Sequence, residues 1–212
     1  MKKILNQDEI NNVLGLLEQM HPEAACALDY DSLFHLVIAV ALSAQTTDVS
    51  VNKVTPRLFE KYPEPEDLAQ ADISDVEEII RTIGLYKNKA RNIIAMANML
   101  ANEYNGEVPC TREELIKLPG VGRKTANVVM AEGFGEPAIA VDTHVFRVAN
   151  RIGMCDESTP EKTEQALMEK IPKDKWIRAH HLLIFHGRKC CDARKPKCDE
   201  CLVAKMCRYN TK

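Results

Sequence analysis

The sequence predicts an all-α protein, and three observations support this prediction. Apolar residues recur at helical spacing along most of the chain, no sustained apolar–polar alternation indicates a strand, and aromatic residues make up only 5% of the 212 residues. A content of 45% apolar and 28% charged residues is typical of a soluble globular protein and excludes a disordered or fibrous one. The longest apolar run, Leu36–Leu42, has seven residues, whereas a membrane-spanning helix needs about 20. The polar start of the chain does not resemble a signal peptide, so a cytoplasmic protein is expected.

Two segments carry the clearest helical patterns. Residues 7–20 and residues 86–104 each place their apolar side chains on one face of a helix. In the second segment, Lys87, Lys89 and Arg91 are expected to lie on other faces, where water solvates their charges. Each segment is therefore predicted to be a long helix with one buried side.

Local signals predict where further helices begin. The patterns Ser74-x-x-Glu77 and Thr111-x-x-Glu114 resemble capping boxes, in which a hydroxyl and a carboxylate satisfy the first N–H groups of a helix. Pro160 stands near the first position of another predicted helix, where its missing N–H costs nothing.

Charge and composition divide the chain without a long linker. Residues 56–85 hold eight acidic against three basic residues, while residues 178–212 hold nine Lys and Arg against three Asp and Glu. The net charge of −3 therefore conceals a basic C-terminal end, which could contact a polyanion, although charge bias alone favours a solvated surface. We expect a set of helices at about 26–136 and a more basic part from 137 onward, with Ala138–Val141 as a buried connector. The first helix could pack with either part.

The cysteines form the sharpest feature of the sequence. Four of the eight follow the spacing Cys191-x6-Cys198-x2-Cys201-x5-Cys207, with Cys190 directly before the first. Clustered cysteines in a chain without a secretory signal bind a metal more often than they form disulfides. Structural zinc usually takes two tight pairs, and this spacing has only one, so it favours an iron–sulfur cluster while leaving zinc open. Cys190 could compete with its neighbour as a ligand.

Residues 112–134 predict a helix, a turn and a second helix. The first helix is expected at Arg112–Lys117 and the second from about Arg123, because the intervening LPGVG contains a proline and two glycines. Gly120 and Gly122 permit a positive φ and leave the backbone bare. The first N–H groups of the second helix have no partner within it and carry the positive end of its dipole. They suit phosphate groups, which they can grip without reading bases.

Lys124 and Asp142 are the candidate chemical groups. Lys124 lies in the first turn of the second helix, where the dipole disfavours an ammonium, and a neutral lysine can form a Schiff base. Its position by itself favours a solvated or phosphate-binding lysine over this nucleophile. Asp142, within VDTH, precedes a strongly periodic segment and is predicted to cap that helix. It could also orient Lys124, take its proton or stabilise a cationic sugar, although a nearby carboxylate would raise the pKa of the lysine.

Three motifs in this order, LPGVGRKTA, VDTH and the four-cysteine spacing, resemble the endonuclease III family of the helix–hairpin–helix superfamily. Members of that family are bifunctional DNA glycosylases and AP lyases. The resemblance implies a six-helix domain at 26–136, with the hairpin at about 112–131. It also implies a four-helix domain formed by 1–25 plus 137–212 and closed by a [4Fe–4S] cluster, with a DNA-binding cleft between the two.

The resemblance also implies roles for individual residues. Lys124 corresponds to the Schiff-base lysine and Asp142 to the catalytic aspartate. Gln45 corresponds to the residue that fills the gap left by an extruded nucleotide, and Leu85 to the one that wedges into the opposite strand. Without the resemblance, Gln45 would merely start a helix and Leu85 would lie in the core. The implied metal ligands are Cys191, Cys198, Cys201 and Cys207, and the implied DNA contacts are Gln45, Leu85, Leu118, Gly120, Val121, Gly122, Arg123, Thr125 and His144.

The implied function is base excision repair by a monomer that acts on double-stranded DNA with damaged pyrimidines or abasic sites. Such an enzyme flips a damaged pyrimidine out of the duplex, removes it through the lysine and cleaves the strand by β-elimination. A monofunctional adenine or thymine mismatch glycosylase is the first alternative, although the adenine enzyme lacks the lysine. A non-catalytic iron–sulfur DNA-binding module and a ferredoxin-like electron carrier are the others; the carrier has no use for the hairpin. A bacterial or archaeal cytoplasm is expected.

Overall fold

A computed structural model describes residues 3–210, and within this range it contains helices and no strand, which confirms the all-α prediction. In the same range no helix combines the length and apolar character that crossing a membrane requires. The α-helices are α1 (Gln7–Met20), α2 (Leu33–Leu42), α3 (Asp48–Asn52), α4 (Thr55–Lys61), α5 (Pro65–Ala69), α6 (Ile73–Ile79), α7 (Tyr86–Glu103), α8 (Arg112–Leu115), α9 (Arg123–Phe134), α10 (Thr143–Ile152), α11 (Pro160–Lys170) and α12 (Trp176–Lys189). Two 3-10 helices cover Lys173–Lys175 and Cys198–Glu200.

The chain forms two compact units. Met1–Cys26 and Pro137–Lys212 make up one, called here the terminal unit, and Ala27–Glu136 makes up the other, called the central unit. The terminal unit holds α1 and α10 to α12. The central unit holds the eight segments α2 to α9, where the resemblance implies six helices. Three of the eight, α3, α5 and α8, have only four or five residues.

The terminal unit packs α1, α10 and α12 around one apolar core. Asn6 begins α1 because its side chain accepts the N–H of Glu9 at 2.9 Å, while the Glu9 carboxylate binds the N–H of Asn6 in return. The Arg178 guanidinium on α12 binds the Glu18 carboxylate, with Nε 2.7 Å from Oε2. These contacts place the first helix, whose partner the sequence left open. The predicted connector Ala138–Val141 is buried and irregular, as expected.

The central unit is organised by α7, which packs against α2, α5 and α6. Both long predicted helices are confirmed, at Gln7–Met20 and Tyr86–Glu103. Within α7 the sequence-based placement of Lys89 is wrong, because this residue is buried with 7% of its surface exposed. Its position one turn before Ile93 puts it on the buried face, although its charge suggested otherwise.

Two local predictions need correction. Ser74 does not cap α6, because Asp72 caps it from two residues earlier, with Oδ1 accepting the N–H of Ser74 at 2.8 Å. The helix predicted at Arg112–Lys117 ends at Leu115, well before the proline. Thr111 caps that helix as predicted, and Pro160 is the first residue of α11.

We predict that Leu17→Ala will destabilise the protein far more than Leu16→Ala. Leu17 is fully buried in the core of the terminal unit, and truncating a buried leucine removes about 3 kcal/mol of unfolding free energy. Leu16, its neighbour on α1, is only partly buried and provides a control with the same change in helix propensity. Denaturant unfolding measures both losses, and equal losses would contradict this packing of α1.

Candidate functional site

The hairpin turn between α8 and α9 contains Gly120 and Gly122, and only the position of Gly120 requires a glycine. Gly120 has φ +82°, and a Cβ there would lie 3.1 Å from Cβ of Asn92 on α7. Gly122 has φ −96° and extended backbone, so the positive φ permitted at this position is not used. It precedes α9, whose first hydrogen bond runs from Ala126 N to Gly122 O at 2.9 Å. The N–H groups before that bond point out of the start of the helix.

Three of the predicted DNA contacts in the hairpin have buried side chains. Leu118, Val121 and Thr125 are exposed by 1%, 6% and 9%. Any contact that they make with DNA must therefore use the backbone, and the N–H of Val121 already donates to Leu118 O at 3.0 Å. Arg123 and Lys124, by contrast, are exposed at the start of α9. Exposed cations and the first N–H groups of a helix thus share one end of α9.

Lys124 and Asp142 each lie in the first turn or at the cap of a helix. Lys124 is the second residue of α9 in the central unit. Asp142 caps α10 in the terminal unit, as the sequence predicted, and its Oδ1 accepts the N–H groups of His144 and Val145, both at 2.8 Å. Within residues 3–210, Oδ2 of Asp142 accepts no hydrogen bond. The cap therefore fixes this carboxylate while one of its oxygens is left for another partner.

His144 is the remaining predicted DNA contact of the terminal unit. It is the second residue of α10, half-buried, with Nδ1 3.2 Å from Nη2 of Arg147. A Cβ on Gly187 of α12 would lie 2.8 Å from the His144 Cβ, so the two helices approach closely at this point.

Gln45 and Leu85 have an unusual backbone conformation. Their φ angles are +55° and +60°, and only one other non-glycine residue within 3–210, Asn105, shares a positive φ. Such a conformation costs about 1–2 kcal/mol in a residue with a Cβ, and it persists where surrounding contacts enforce it. Both side chains are exposed, Leu85 by 59%, so the plainer expectation of a core position for Leu85 is wrong. Gln45 does not start a helix, because Thr47 caps α3.

Five cysteines line a single pocket at the C-terminal end of the terminal unit. Cys190 and Cys191 follow α12, Cys198 begins a 3-10 helix, and Cys201 and Cys207 lie in the turns beyond it. The structure thus brings the four predicted ligands together. Cys190 also faces this pocket, where its Sγ lies within 4.8 Å of both Cys201 Sγ and a ring nitrogen of His186.

The chemistry of the pocket fits an iron–sulfur group. Burial raises the pKa of Cys190 to about 12 and raises the pKa values of Cys201 and Cys207. A buried thiol that loses its proton to become a metal ligand gains a negative charge, and the positive charge of the bound metal must compensate for it. Soft thiolates gathered in a largely buried pocket are the donors that iron–sulfur clusters take.

Two arginines of α10 hold the loop that carries these cysteines, and sequence analysis missed both. Nη2 of Arg147 donates to Gly187 O at 2.9 Å and to Cys191 O at 3.0 Å. Arg151 donates to Asp192 O and Ala193 O, both at 2.7 Å. The spacing of four residues places the two guanidinium groups on one face of α10, a signal that the sequence contained.

Two buried histidines, His21 and His186, lie next to Cys201. Nε2 of His21 lies 3.2 Å from Nδ1 of His186, and Nε2 of His186 lies 3.7 Å from Sγ of Cys201. Burial lowers the pKa of His186 to about 4, so this ring is neutral near pH 7. The two histidines are 165 residues apart, and no local pattern predicts their contact.

Family models match both parts of this arrangement. One, described as HhH-GPD superfamily base excision DNA repair protein, matches residues 38–173. The chain belongs to this superfamily. A second model, the iron–sulfur binding domain of endonuclease III, matches residues 191–207, which begin at Cys191 and end at Cys207. The chain therefore carries an iron–sulfur binding domain.

Similar proteins match along almost the entire chain. Endonuclease III of Bacillus subtilis is 49% identical over 99% of this chain and 96% of its own length. Endonuclease III of Escherichia coli K12 is 44% identical over 98% and 99%. Among solved structures, a trapped endonuclease III–DNA covalent intermediate is 50% identical with a TM-score of 0.94, covering 98% of both chains. A thermostable thymine-DNA glycosylase is 28% identical with a TM-score of 0.82, covering 96% and 97%. The identities of 44–50% to the endonuclease III proteins exceed the 28% identity to the thymine-DNA glycosylase.

We predict that Cys191→Ser will lose iron on purification and that Cys190→Ser will retain it. The matched iron–sulfur segment starts at Cys191, so we expect Cys191 to be the ligand, although the Cys190 Sγ faces the same pocket. Iron analysis and the yellow-brown visible absorption of the purified variants measure the difference. Iron lost from Cys190→Ser but kept by Cys191→Ser would reverse the ligand assignment, and stoichiometric zinc without iron in the unmodified protein would replace the cluster itself.

Proposed function

We propose that this protein is a DNA N-glycosylase with AP lyase activity, which removes oxidised pyrimidines and then cleaves the strand. One observation carries the proposal. Lys124 is an exposed amine in the first turn of α9, in a chain half identical to a protein that has been trapped in a covalent complex with DNA. A covalent intermediate requires a nucleophile, and a neutral lysine is one.

Duplex binding would rest on backbone contacts of the hairpin. The first N–H groups of α9 and the Arg123 side chain are suited to phosphate oxygens, which position a protein on DNA without reading its sequence. The substrate nucleotide must leave the base stack before its sugar can react, and damaged bases stack poorly, which lowers that cost. Gln45 would fill the vacated space and Leu85 would wedge into the opposite strand. Their exposure supports both roles.

The chemistry would proceed through an imine. The Lys124 amine attacks C1′ of the extruded nucleotide, the glycosidic C–N bond breaks, and the base leaves with the bonding electron pair and takes up a proton. The added nitrogen loses a proton, and its lone pair then breaks the C1′–O4′ bond. O4′ takes up a proton, and the protonated imine that results acidifies the hydrogen on C2′. Removal of that proton expels the 3′ phosphate by β-elimination. Asp142 would stabilise the positive charge that develops on the sugar and accept the amine proton.

The iron–sulfur group would be a [4Fe–4S] cluster held by Cys191, Cys198, Cys201 and Cys207. When bound, it would supply a rigid anchor for this loop rather than a step of the reaction, since imine chemistry needs no electron transfer. The exposed cations between the ligands, Arg194, Lys195 and Lys197, would then face DNA phosphates. We further propose that the protein acts as a monomer in a bacterial cytoplasm; its relatives in Bacillus subtilis and Escherichia coli support the bacterial source.

We predict that borohydride will trap the protein on DNA that contains an abasic site, and that Lys124→Ala will abolish the adduct. The adduct is the reduced imine, so only the nucleophilic amine is required for it to form. Asp142→Asn should slow base removal by about a hundredfold or more, the usual contribution of a general acid or base. Gel electrophoresis of the covalent complex and strand-cleavage rates measure the two effects.

The matched control is Lys117→Gln, which removes another exposed lysine of the hairpin. Its ion pair with Glu114 lies at the surface and contributes little, so trapping should be unchanged. A wild-type protein that releases a base but gives no adduct would be a monofunctional glycosylase, the alternative that the thymine-DNA glycosylase likeness represents. A protein that binds damaged duplexes without any reaction would be a binding module.

A further inference from the structure

Two loops of the central unit carry the residues that we propose to insert into DNA, and Lys89 bonds to both loops. The backbone N–H of Lys89 donates to Leu85 O at 3.0 Å. Its side-chain Nζ donates to the Oγ1 of Thr46 at 2.6 Å, and Thr46 directly follows Gln45. The backbone bond is the first hydrogen bond of α7, which any residue except proline would form at this position. The tie specific to Lys89 is the side-chain bond, which joins the loop after α2 to the first turn of α7, directly after Leu85.

The side-chain amine of Lys89 lies where a positive charge is energetically unfavourable. The residue is 7% exposed, and burial lowers its pKa from the usual value. Burying a charge is unfavourable unless it forms hydrogen bonds, and an unbranched apolar side chain such as methionine would fill the same space without that cost. Packing by itself thus does not explain a lysine here. What the ammonium adds is the short bond to Thr46.

The other hydrogen bonds that the structure describes for residues 43–46 run within this loop or back to the last turn of α2, whereas the bond from Lys89 comes from a different helix. The N–H of Thr46 donates to Ser43 O at 3.0 Å, and the Ser43 hydroxyl donates to Val40 O at 2.8 Å. The Thr46 hydroxyl lies 3.4 Å from Ala44 O, a weak contact beside the bond from Lys89. Gln45 lies within this loop in the left-handed region, which it keeps only if its neighbours enforce it.

We propose that Lys89 is a positioning residue that holds Gln45 and Leu85 at a fixed spacing, so that both side chains enter the duplex together. Prearranging the two loops removes the entropy loss of ordering them on DNA. The inference rests on the proposed function and extends it to extrusion of the nucleotide. Lys89 touches neither the sugar nor Lys124 in this role, so the chemical step itself should not depend on it.

The test compares substrates that do and do not require extrusion. Lys89→Met keeps the length of the side chain and removes the ammonium, and Thr46→Val removes the acceptor. Each should slow single-turnover cleavage of a duplex with an oxidised pyrimidine about tenfold, the effect of losing one hydrogen bond to a charged group. Borohydride trapping on single-stranded abasic DNA, which needs no extrusion, should keep the wild-type rate.

Controls separate positioning from folding. Thr46→Ser retains the hydroxyl and should restore duplex cleavage, and Lys87→Met removes an exposed lysine from the same helix and should have no effect. The double variant Lys89→Met with Thr46→Val should be no slower than either single variant, because both remove the same bond. Thermal melting of all variants verifies that they are folded.

A readout without chemistry keeps this inference separate from the proposed function. Fluorescence of 2-aminopurine next to a non-reactive abasic analogue in a duplex reports base unstacking, and Lys89→Met and Thr46→Val should both reduce the signal. If the wild type traps no adduct, the lyase assignment fails while this fluorescence still decides the role of Lys89. Wild-type duplex cleavage and fluorescence in both variants would overturn the inference, as would equal losses on duplex and single-stranded DNA.

Discussion

The cysteine loop of the terminal unit depends on one set of hydrogen bonds, those that two arginines of α10 donate to its carbonyl oxygens. The loop has almost no regular structure of its own, so its carbonyl oxygens need partners from elsewhere. Arg147 and Arg151 supply them, from a helix whose apolar face is fixed in the core by Val145 and Val148. Asp142 caps the other end of that helix. The position of the candidate carboxylate and the shape of the metal-binding loop therefore follow from a single rigid element.

In the central unit, exposed side chains and exposed backbone groups are attached to a frame of packed helices. The almost wholly buried helix α2 and the buried face of α7 form that frame, and the irregular positions lie at the ends of these helices. Gln45 follows α2 and Leu85 precedes α7, and both have a positive φ, which is unfavourable for a residue with a Cβ. Gly120 allows the hairpin to pass close to α7 at Asn92. The positive φ angles and the close contact between the hairpin and α7 thus occur at the residues that we propose to contact DNA. Side chains that are held in place before they enter the duplex would account for both features.

Predictions from the local sequence were confirmed where the residues involved are close together along the chain. Asp142 as a cap, Pro160 as a helix start and the connector Ala138–Val141 all depend on residues within a turn or two. Prediction failed where a closer competitor or a distant partner decided the outcome. Asp72 replaced Ser74 as a cap because its carboxylate was better placed, and Lys89 was assigned to solvent because its acceptor, Thr46, is 43 residues away. The spacing of Lys89 from Ile93 indicated burial, but its charge concealed that signal.

The sequence by itself determined the all-α class, the order of the motifs and the resemblance to a family, because helical periodicity, capping residues and cysteine spacing are properties of short stretches. Only the tertiary structure decided which unit receives the first helix, which arginines hold the cysteine loop and which lysine is buried. Each of those outcomes depends on groups far apart in the chain, such as Glu18 with Arg178 and His21 with His186. Contacts of this kind form only when the chain has folded, because packing rather than local propensity selects them.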